Sequence, residues 1–328
     1  MLKFVLKRFI IAVPLLFIIS FIAFCIIQLA PGDYFDRMRL NPQMSSETIN
    51  REEAKYHLDR PVPIQYYHWV KNLMHFDMGY SFTNNAPVSS VIVSRLLNTL
   101  LLSISALLFT WLLAIPLGIM SALHPNSHKD RFFSFLSFIG LSIPNFFLAL
   151  LLLYLTTAYG LLPSGGMTSN NFDQMGTFEK MIDVLYHLII PTIVIGTGAM
   201  ASLQRITRGH MLEVLRSQYI MTARAKGLPE NRVIYHHALR NAVNPLITLF
   251  GFQLSGLFSG AAMTEIICGW PGLGSLMLEA TRSQDLYLVM GSIFMAGVML
   301  IAGNLIADIL LAWSDPRIRM LNSGGFSH

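Results

Sequence analysis

Residues 9–30 read FIIAVPLLFIISFIAFCIIQLA, a run that contains no charged side chain. The hydrocarbon core of a bilayer is about 30 Å thick, and an α-helix needs roughly 20 apolar residues to cross it. Lys3, Lys7 and Arg8 precede the run, as basic residues do in a secretory signal. The apolar region of a signal is only about 7–15 residues long and ends at a small-residue cleavage site. The longer run here predicts a retained transmembrane helix.

The composition of the whole chain points to the same environment. Its 328 residues are 53% hydrophobic and 12% charged, with a mean hydropathy of +0.53, whereas about 25% of a typical soluble domain is charged. A soluble enzyme, a disordered protein, a disulfide scaffold and a nucleic-acid binder are therefore all disfavoured. Cys25 and Cys268 are far apart in sequence and form neither a disulfide framework nor a metal-ligand spacing, so we predict no metal site.

Five further apolar segments predict five more spans. They are residues 96–123, 132–158, 187–204, 243–263 and 286–313. Several contain proline (Pro14, Pro116, Pro144, Pro191 and Pro245), which membrane helices tolerate when neighbouring groups satisfy the freed carbonyls. The expected fold is an all-α integral membrane protein with six transmembrane helices, and an even number of spans places both termini on one side.

The distribution of basic residues selects that side. With the N-terminus in the cytoplasm, the inside segments hold 14 of the 23 Lys and Arg residues, and the two short outside segments hold only Lys180 and Arg282. Short loops rich in Lys and Arg stay inside, while long loops largely escape the rule. The charges therefore predict an N-in, C-in topology. The expected division is 1–30 (N-terminus and first helix), 31–95 (external cap), 96–313 (five-helix core) and 314–328 (cytoplasmic tail).

The external segments carry distinct local signals. Ser45 or Ser46 predicts a helix start, and residues 65–73 predict a short amphipathic helix whose Tyr66, Tyr67 and Trp69 form an interfacial belt. Together these features predict a small helical cap. Residues 159–186 are expected to be a flexible connection around its glycines. Gly269-Trp-Pro-Gly-Leu-Gly274 lacks a following Lys-Ser/Thr, so a turn between short re-entrant helices is favoured over a phosphate loop.

The cytoplasmic segment 205–242 is too polar for a span but has strong helix signals. Ser217 is expected to cap a helix whose apolar face is Tyr219, Ile220 and Ala223. Gly227 is expected to end that helix as its C′ residue, and Pro229 to open a second helix that reaches Leu239. The small residues at this elbow would let another surface approach the backbone. An ordinary basic loop that obeys the positive-inside rule is the alternative interpretation.

A resemblance to a known family favours the first interpretation. The run Met211-Leu-Glu-Val-Leu-Arg-Ser-Gln-Tyr-Ile-Met-Thr-Ala-Arg-Ala-Lys-Gly227, followed by His237-Ala-Leu-Arg-Asn241, closely resembles the coupling segment of bacterial ABC-type dipeptide/oligopeptide permeases. Other stretches look like that family in the expected order along essentially the whole chain. They are Pro31-Gly-Asp33, Leu58-Asp-Arg-Pro61, Asp77-Met-Gly79, Thr264-Glu265, Trp270-Pro-Gly-Leu-Gly274 and Asp315-Pro-Arg-Ile-Arg319. The chain looks like the subunit with the long external segment after its first helix.

The resemblance implies the permease subunit of a type I ABC importer, in the bacterial inner membrane. It implies a second permease, two ATPase subunits that bind ATP and Mg, and an external solute-binding protein that delivers peptide. No cofactor and no catalytic residue are implied in this chain. The implied ATPase-coupling residues are Tyr219, Thr222, Ala223, Arg224, Ala225, Lys226, Gly227 and Leu228. The chain departs from the wider importer motif at Met221, which stands where an acidic residue would be.

Small residues in the fifth predicted span support two interpretations. Gly251, Ser255 and Ser259 share one face, and Gly256 and Gly260 share another. They are expected either to allow close helix packing or to line the translocation path.

The sequence leaves other functions open. Permeases of the same architecture for nickel chelates, glutathione or antimicrobial peptides remain possible. An ion-coupled secondary transporter would show intramembrane charges and paired broken helices in related halves, but Asp308 is the single acidic residue within a predicted span. A membrane-embedded protease would need a catalytic constellation, and the spans contain no GxSxG, HExxH or Asp pair.

Overall fold

The computed structural model describes residues 2–29, 32, 34–39, 45–243, 245–246, 249–250, 253 and 262–314. The chain divides into two compact units. The first unit comprises Leu2–Thr99 and Pro271–Ile301, and the second comprises Leu100–Trp270 and the chain from Ala302 onward. Almost all of the described secondary structure is helical, as the composition predicts.

The first unit contains the N-terminal helices, a short hairpin and two C-terminal segments. Its elements are α1 (Leu2–Gln28), α2 (Tyr34–Arg39), α3 (Ser46–Lys55), α4 (Val62–Leu73), β1 (Tyr80–Ser81), β2 (Ala86–Pro87), the start of α5 (Val88–Leu123), α13 (Leu273–Ser283) and the start of α14 (Leu286–Ser314). The core of this unit forms around Trp69, Phe24 and Met290, all of which are buried.

The second unit contains the remaining helices. They are the rest of α5, α6 (His128–Ser142), α7 (Asn145–Tyr159), α8 (Thr177–Leu215), α9 (Gln218–Ala225), α10 (Glu230–Arg232), α11 (Leu239–Ala242) and α12 (Ala262–Cys268). α5 and α8 approach closely at Gly118, where a Cβ atom would lie 2.7 Å from the Thr207 Cβ. Such small residues allow membrane helices to pack by direct backbone approach.

Among the described residues, four helices are long and apolar enough to cross a membrane. These stretches are Arg8–Gln28, Val88–Leu123, Thr177–Leu215 and Leu286–Leu310, and they coincide with four of the six predicted spans. Pro14, Pro116 and Pro191 lie inside these continuous helices, as predicted. Most of the predicted span 243–263, together with Gly251, Ser255, Gly256, Ser259 and Gly260, lies outside the described residues.

The predicted span over residues 132–158, which contains Pro144, is not one continuous helix. α6 and α7 are bent by 102° at the Ile143-Pro144 step, where Ile143 adopts an extended conformation with φ −86° and ψ 120°. The proline ring disfavours the helical conformation of the residue before it. Each arm has 15 residues and is therefore roughly 22 Å long. Neither arm alone covers the thickness of a bilayer core, so the pair forms either one broken span or a re-entrant loop.

The cap segment is helical as expected, but its aromatic residues are not arranged as predicted. Ser45 caps α3 and accepts a hydrogen bond from the backbone N–H of Glu47 at 3.3 Å, which confirms the predicted start. Trp69 is only 2% exposed and packs in the core of the first unit. Tyr66 is half-buried, and only Tyr67 is exposed. The predicted interfacial belt is therefore wrong for two of its three members, because α1 and α14 cover them.

A short hairpin in the cap segment is held by a contact with a residue that is distant in sequence. The hairpin β1–β2, which pairs Tyr80 with Pro87, was not expected in an all-α chain. The buried Asp285 carboxylate holds it by accepting hydrogen bonds from Ser81 Oγ at 2.8 Å and from the Thr83 backbone N–H at 3.0 Å.

The connection 159–186, expected to be flexible, is tied to its surroundings. The Gly166 N–H donates to the Cys268 carbonyl at 2.8 Å, and Ser169 donates to Asp183 through its N–H and its hydroxyl. α8 then begins at Thr177, ten residues before the predicted span. The glycine-rich composition of this connection indicates that it is a loop, but the long-range hydrogen bonds decide how it is held.

Candidate functional site

The candidate site is the helical elbow formed by residues 216–242 of the second unit. α8 is a single helix of 39 residues that ends at Leu215, so the first part of the predicted cytoplasmic segment continues this helix. Arg216 and Ser217 make a turn, and α9 follows. After a second turn the chain is helical again from Glu230 to Ala242. The predicted arrangement of a helix, a tight turn and a second helix is confirmed.

Gly227 ends α9 in the predicted manner. Its φ of +74° lies in the left-handed region, which glycine adopts without steric cost. The Gly227 N–H donates to the Arg224 carbonyl at 2.9 Å, and the Leu228 N–H donates to the Ala223 carbonyl at 3.4 Å. This pair of bonds is the Schellman motif. A Cβ atom built on Gly227 would meet no atom of the described residues within 4 Å, so no described part of the chain covers this turn.

The start and the buried face of α9 differ in detail from the prediction. Ser217 occupies the N-cap position, but its hydroxyl donates to the Val214 carbonyl at 2.6 Å and makes no capping bond. Ile220 and Ala223 are buried as predicted. Tyr219 is 46% exposed, because the helix turns it about 100° away from Ile220. The predicted apolar face is therefore wrong in one of its three members.

An apolar cluster, here called the supporting cluster, packs the elbow against α5 and α8. Ile220 and Ala223 of α9 pack with residues of α5, α8 and the second arm of the elbow. The other buried members are Ile119, Ala122, Met211, Val233, Ile234, Ala238 and Ala242. Because protein interiors are packed as densely as organic crystals, this cluster holds the elbow firmly on α5 and α8.

The second arm of the elbow contains a feature that the sequence does not predict. Between α10 and α11, residues Val233–Ala238 form a π-helical turn. A π turn widens the helix by one residue and is found frequently at functional sites. Here it lets Val233, Ile234, Ala238 and Ala242 all reach the supporting cluster, although their spacing departs from a regular helical stripe.

The outer side of the elbow is formed by small, basic and aromatic residues. Of the implied coupling residues, Tyr219, Thr222, Arg224, Ala225, Lys226 and Gly227 are exposed. Ala223 and Leu228 instead belong to the supporting cluster. Sequence reasoning missed several exposed neighbours: Met221, Arg232, Tyr235, His236 and Arg240. Met221 and Arg232 precede the π turn, whereas Tyr235 and His236 lie within it and Arg240 follows it. The π turn therefore decides the orientation of the last three, and the local sequence does not predict it.

One ion pair spans the turn of the elbow. Arg224 Nη2 lies 2.6 Å from Glu230 Oε1, and Nε lies 3.2 Å from Oε2. These hydrogen bonds hold the pKa of the Glu230 carboxyl below its usual value and raise the pKa of Arg224. Arg224 therefore already has an acidic partner within this chain. Lys226, on the same turn, is also exposed.

A second ion pair, also missed from the sequence, secures the helix that carries the elbow. Arg208 of α8 makes a bidentate contact with Asp130 of α6, with Nε to Oδ1 at 2.7 Å and Nη2 to Oδ2 at 2.8 Å. The Asn126 backbone N–H also donates to Asp130 Oδ2, at 2.9 Å. The Asp130 side chain is almost fully buried. Bidentate Arg–carboxylate pairs fix orientation as well as distance, so α6 and α8 are held in one register.

The described residues add two further facts about the predicted sites. Trp111 Nε1 of α5 donates to Gln253 Oε1 at 2.6 Å, so this part of the predicted fifth span contacts α5. Among the described residues, no three His, Cys, Asp or Glu side chains are grouped so that they could hold a metal ion. The predicted absence of a metal site and of cofactors in this chain stays a prediction.

Known proteins match this chain over almost its full length. Residues 114–320 match the family of binding-protein-dependent transport system inner membrane components, and residues 1–105 match the N-terminal region of such membrane components. The oligopeptide transport system permease protein AppB of Bacillus subtilis is 40% identical over 320 residues, which cover 97% of this chain and 99% of that protein.

Other relatives give the same result. The dipeptide transport system permease protein DppB of Escherichia coli is 35% identical over 336 residues, and the di/tripeptide transport system permease protein DppB of Pseudomonas aeruginosa is 35% identical over 340 residues. In both cases the match covers 97% of this chain and 99% of the relative.

These matches identify a membrane transport component that performs no catalysis itself. The apolar helices of the structure agree with that assignment. This component is an inner membrane subunit that works with a binding protein and an ATPase. The chain belongs to the family of binding-protein-dependent transport system inner membrane components.

Proposed function

We propose that this chain is one permease subunit of an ATP-driven importer of di- or oligopeptides. The observation that carries the proposal is the near-complete match to permeases whose names specify oligopeptides, dipeptides or di/tripeptides. Importers of this architecture for nickel chelates, glutathione or antimicrobial peptides are the alternatives. An ion-coupled secondary transporter is disfavoured by the family to which the chain belongs.

The proposed topology has six spans with both termini in the cytoplasm. Four long helices, the bent pair α6–α7 and the segment 243–263 would supply these spans. The excess of basic residues between α8 and residue 242 supports a cytoplasmic elbow. Segment 31–95 would then be external, on the side from which a solute-binding protein delivers its ligand.

The elbow is proposed as the surface that receives an ATPase subunit. Its outer side combines an open glycine turn, small residues and cations, so that another protein can approach the backbone closely. No Walker-type Gly-x-x-x-x-Gly-Lys-Ser/Thr run occurs in the sequence. ATP and Mg would therefore be bound by the partner subunits. ATP would act on this chain only through its contact with those subunits.

The packing beneath the elbow indicates how force would enter the membrane part. A push on α9 is transmitted to α5 and α8, because the supporting cluster is densely packed and incompressible. The Asp130–Arg208 pair extends this rigid connection to α6. α5, α6 and α8 would therefore move together as one rigid element. Alternating access requires such an element to have two stable positions, one for each opening of the transport pathway.

Two measurements test the proposal. Affinity purification of the tagged chain from its native membrane in mild detergent should recover a second permease and ATPases that contain a Walker motif. A strain that lacks this chain should regain uptake of a labelled tripeptide when the chain is restored, and unlabelled di- and oligopeptides should compete.

Each measurement has an outcome that would contradict the proposal. Recovery of the folded chain without any ATPase would make the elbow an ordinary basic loop. Restored uptake that nickel chelates or glutathione inhibit, and peptides do not, would replace the peptide substrate while leaving the importer architecture intact.

A further inference from the structure

α4 of the cap segment contacts the first transmembrane helix well inside its apolar stretch. The Tyr66 hydroxyl donates to the Phe17 carbonyl at 2.9 Å and lies 2.7 Å from Ser20 Oγ. Ser20 precedes Gln28, the last residue of α1, by eight positions, which corresponds to about 12 Å along a helix. α4 therefore lies alongside α1, and part of it lies at the depth of the hydrocarbon.

A second transmembrane helix indicates the same depth. Trp69 of α4 packs edge-on against Phe294, with 5.9 Å between the ring centroids. Phe294 lies eight residues into α14 from Leu286, again about 12 Å from the helix end. Contacts with both α1 and α14 thus place the buried face of α4 about 12 Å along these helices from Gln28 and Leu286, which is toward the centre of the membrane.

The surface of α4 is divided into three stripes. The buried stripe, which includes Gln65 and Trp69, faces the core of the first unit. An apolar stripe follows at helical spacing and consists of Pro63, Tyr67, Val70 and Met74. A polar stripe lies on the other flank and consists of His68 and Asn72, followed by His75 in the turn after the helix. Ile64, one turn before His68, borders this stripe and is 44% exposed. Tyr67 is 64% exposed and Met74 is 71% exposed, although neither side chain carries a charge.

The hydrogen bonds of the buried stripe show which flank faces the centre of the membrane. Gln65, next to the polar stripe, accepts a hydrogen bond from Gln28 at the end of α1, with 2.8 Å between Nε2 and Oε1. Tyr66, next to the apolar stripe, reaches the deeper Ser20. Residues three or four positions apart are neighbours on a helix surface. The apolar stripe therefore faces inward along the span, and the polar stripe faces its water-exposed end.

We propose that α4 is an in-plane amphipathic helix that binds the lipid bilayer at the Gln28 end of the first span. Tyr67 and Met74 contact the acyl chains, and the polar stripe faces the aqueous side. Lys71 lies opposite the buried stripe and is exposed, so its long side chain can extend to headgroup phosphates. The proposal requires only that α1 spans the membrane. The proposed topology adds that the leaflet is the outer one.

This arrangement restricts where an external partner can bind. A helix with one face on α1 and α14 and one flank in lipid offers only its polar flank to a soluble protein. The cap segment would then be a shelf embedded in the membrane surface, and a binding protein would contact the His68–Asn72–His75 side of it. The exposed apolar stripe needs no protein partner, because Tyr66 at its edge packs edge-on against Phe21 of the apolar span α1, with 5.0 Å between the ring centroids, and Phe21 is itself 41% exposed.

Site-directed spin labelling of the full transporter in phospholipid liposomes tests the proposal. Single cysteines are placed on the apolar stripe (Tyr67→Cys, Met74→Cys) and on the polar stripe (Asn72→Cys, His75→Cys), after Cys25 and Cys268 are replaced by serine. Ile22→Cys serves as the lipid-facing reference and Asn85→Cys as the aqueous one. Labels at 67 and 74 should match the Ile22 label, with high accessibility to oxygen and low accessibility to a water-soluble nickel chelate. Labels at 72 and 75 should show the reverse.

Three outcomes would overturn the proposal. Nickel accessibility at 67 and 74 equal to that at 72 and 75 would place the whole helix in water. If the nickel chelate reaches the labels at 67 and 74 and the solute-binding protein then blocks it, the apolar stripe would be a protein docking face. Low accessibility to both reagents at 67 and 74 would show that another subunit of the transporter covers the stripe.

A second measurement separates the lipid contact from the topology. In intact cells, a membrane-impermeant maleimide should label Asn72→Cys and His75→Cys and should leave Tyr67→Cys and Met74→Cys unlabelled. Labelling of all four positions would contradict the lipid contact. Labelling of the polar stripe only after the membrane is opened would contradict the proposed N-in topology and leave the lipid contact standing.

Discussion

α9 of the elbow and α4 of the cap are both short helices outside the predicted spans, and they are held in very different ways. α9 has eight residues and buries the side chains of Ile220 and Ala223. α4 has twelve residues and buries the side chains of Trp69 and Gln65, with Tyr66 half-buried beside them. α9 therefore packs on the apolar cluster through two aliphatic side chains, whereas α4 inserts an aromatic side chain between two spans.

The difference teaches how a membrane protein assigns roles to its extramembrane helices. A helix that buries only aliphatic side chains and ends in small exposed residues leaves its backbone accessible to a partner. A helix that buries aromatic side chains gains more free energy from burial but leaves less of its surface accessible to a partner protein. The elbow is thus suited to transient contact with an ATPase, and α4 to a fixed position at the bilayer. Four predictions would break or sharpen this contrast.

The largest expected effect is the loss of uptake in Gly227→Trp. The indole would protrude over the open side of the turn, where a Cβ atom meets no atom of the described residues within 4 Å, and would block an approaching ATPase. The positive φ adds a local cost of about 1–2 kcal/mol for any residue with a Cβ. Peptide uptake and recovery of ATPases with the tagged chain should both fall to background, while membrane insertion is retained.

Two control variants separate docking from strain at Gly227. Gly227→Ala introduces the same backbone strain without bulk and should keep most of the uptake. Gly209→Trp adds an indole at an equally open position of α8 and should transport normally. Unchanged uptake and ATPase recovery in Gly227→Trp would contradict the docking role of the elbow.

Truncation of the deepest side chain of α4 should have the next largest effect. Trp69→Ala should destabilise the protein by about 3–5 kcal/mol, as for other buried aromatic residues, measured as a lower Tm in detergent. Trp69→Phe should cost much less, because the buried Nε1 has no hydrogen-bond partner among the described residues and its removal leaves no donor unsatisfied. Tyr67→Ala, on the exposed stripe, should leave Tm nearly unchanged in detergent. A large loss for Tyr67→Ala would show that the two faces of α4 are assigned wrongly.

The Asp130–Arg208 pair should show strong coupling. Arg208→Met alone leaves a buried carboxylate unpaired and should cost about 3 kcal/mol, the low end for buried pairs because Arg208 is partly exposed. The double variant Asp130→Asn/Arg208→Met should recover much of that loss. A double-mutant cycle on Tm measures the coupling. Additive losses would mean that the pair does not hold α6 on α8.

The smallest effect should come from protonation of Glu230. Arg224 lowers the pKa of Glu230 below its ordinary value of 4.5, so the folded state favours the ionised carboxylate. The stabilisation is fully present above pH 4.5 and is lost as the pH falls through the lowered pKa. The difference in Tm between the wild type and Glu230→Gln should shrink over that range and should also shrink at high salt. A difference that grows as the pH falls would contradict the assigned sign.

Local chemistry explains the predictions that succeeded. The Gly227 turn and the Ser45 cap each depend on a few neighbouring residues, so their signals are complete within a short stretch of sequence. The four long spans depend on composition, which a window of about 20 residues contains in full. The Arg205–Ala242 segment was recognised because its charge and helix signals differ from those of the spans on either side.

The failed predictions depend on residues that are distant in sequence. Pro116 lies within a continuous helix and Pro144 breaks one, although both stand in apolar segments. The π turn of the elbow has no signature in the residues that form it. Asp130 and Arg208 are 78 positions apart, and either could have been an ordinary exposed charge.

The amino-acid sequence was sufficient to establish a helical membrane protein with a small-residue elbow at Gly227. Hydropathy, side-chain size and glycine conformation are properties of single residues and their neighbours. The burial of Trp69, the bend at Pro144 and the clamp between α6 and α8 required the folded chain. Each of these depends on which two surfaces meet, and the free energy of burying an aromatic ring or a charge is set by the partner that covers it.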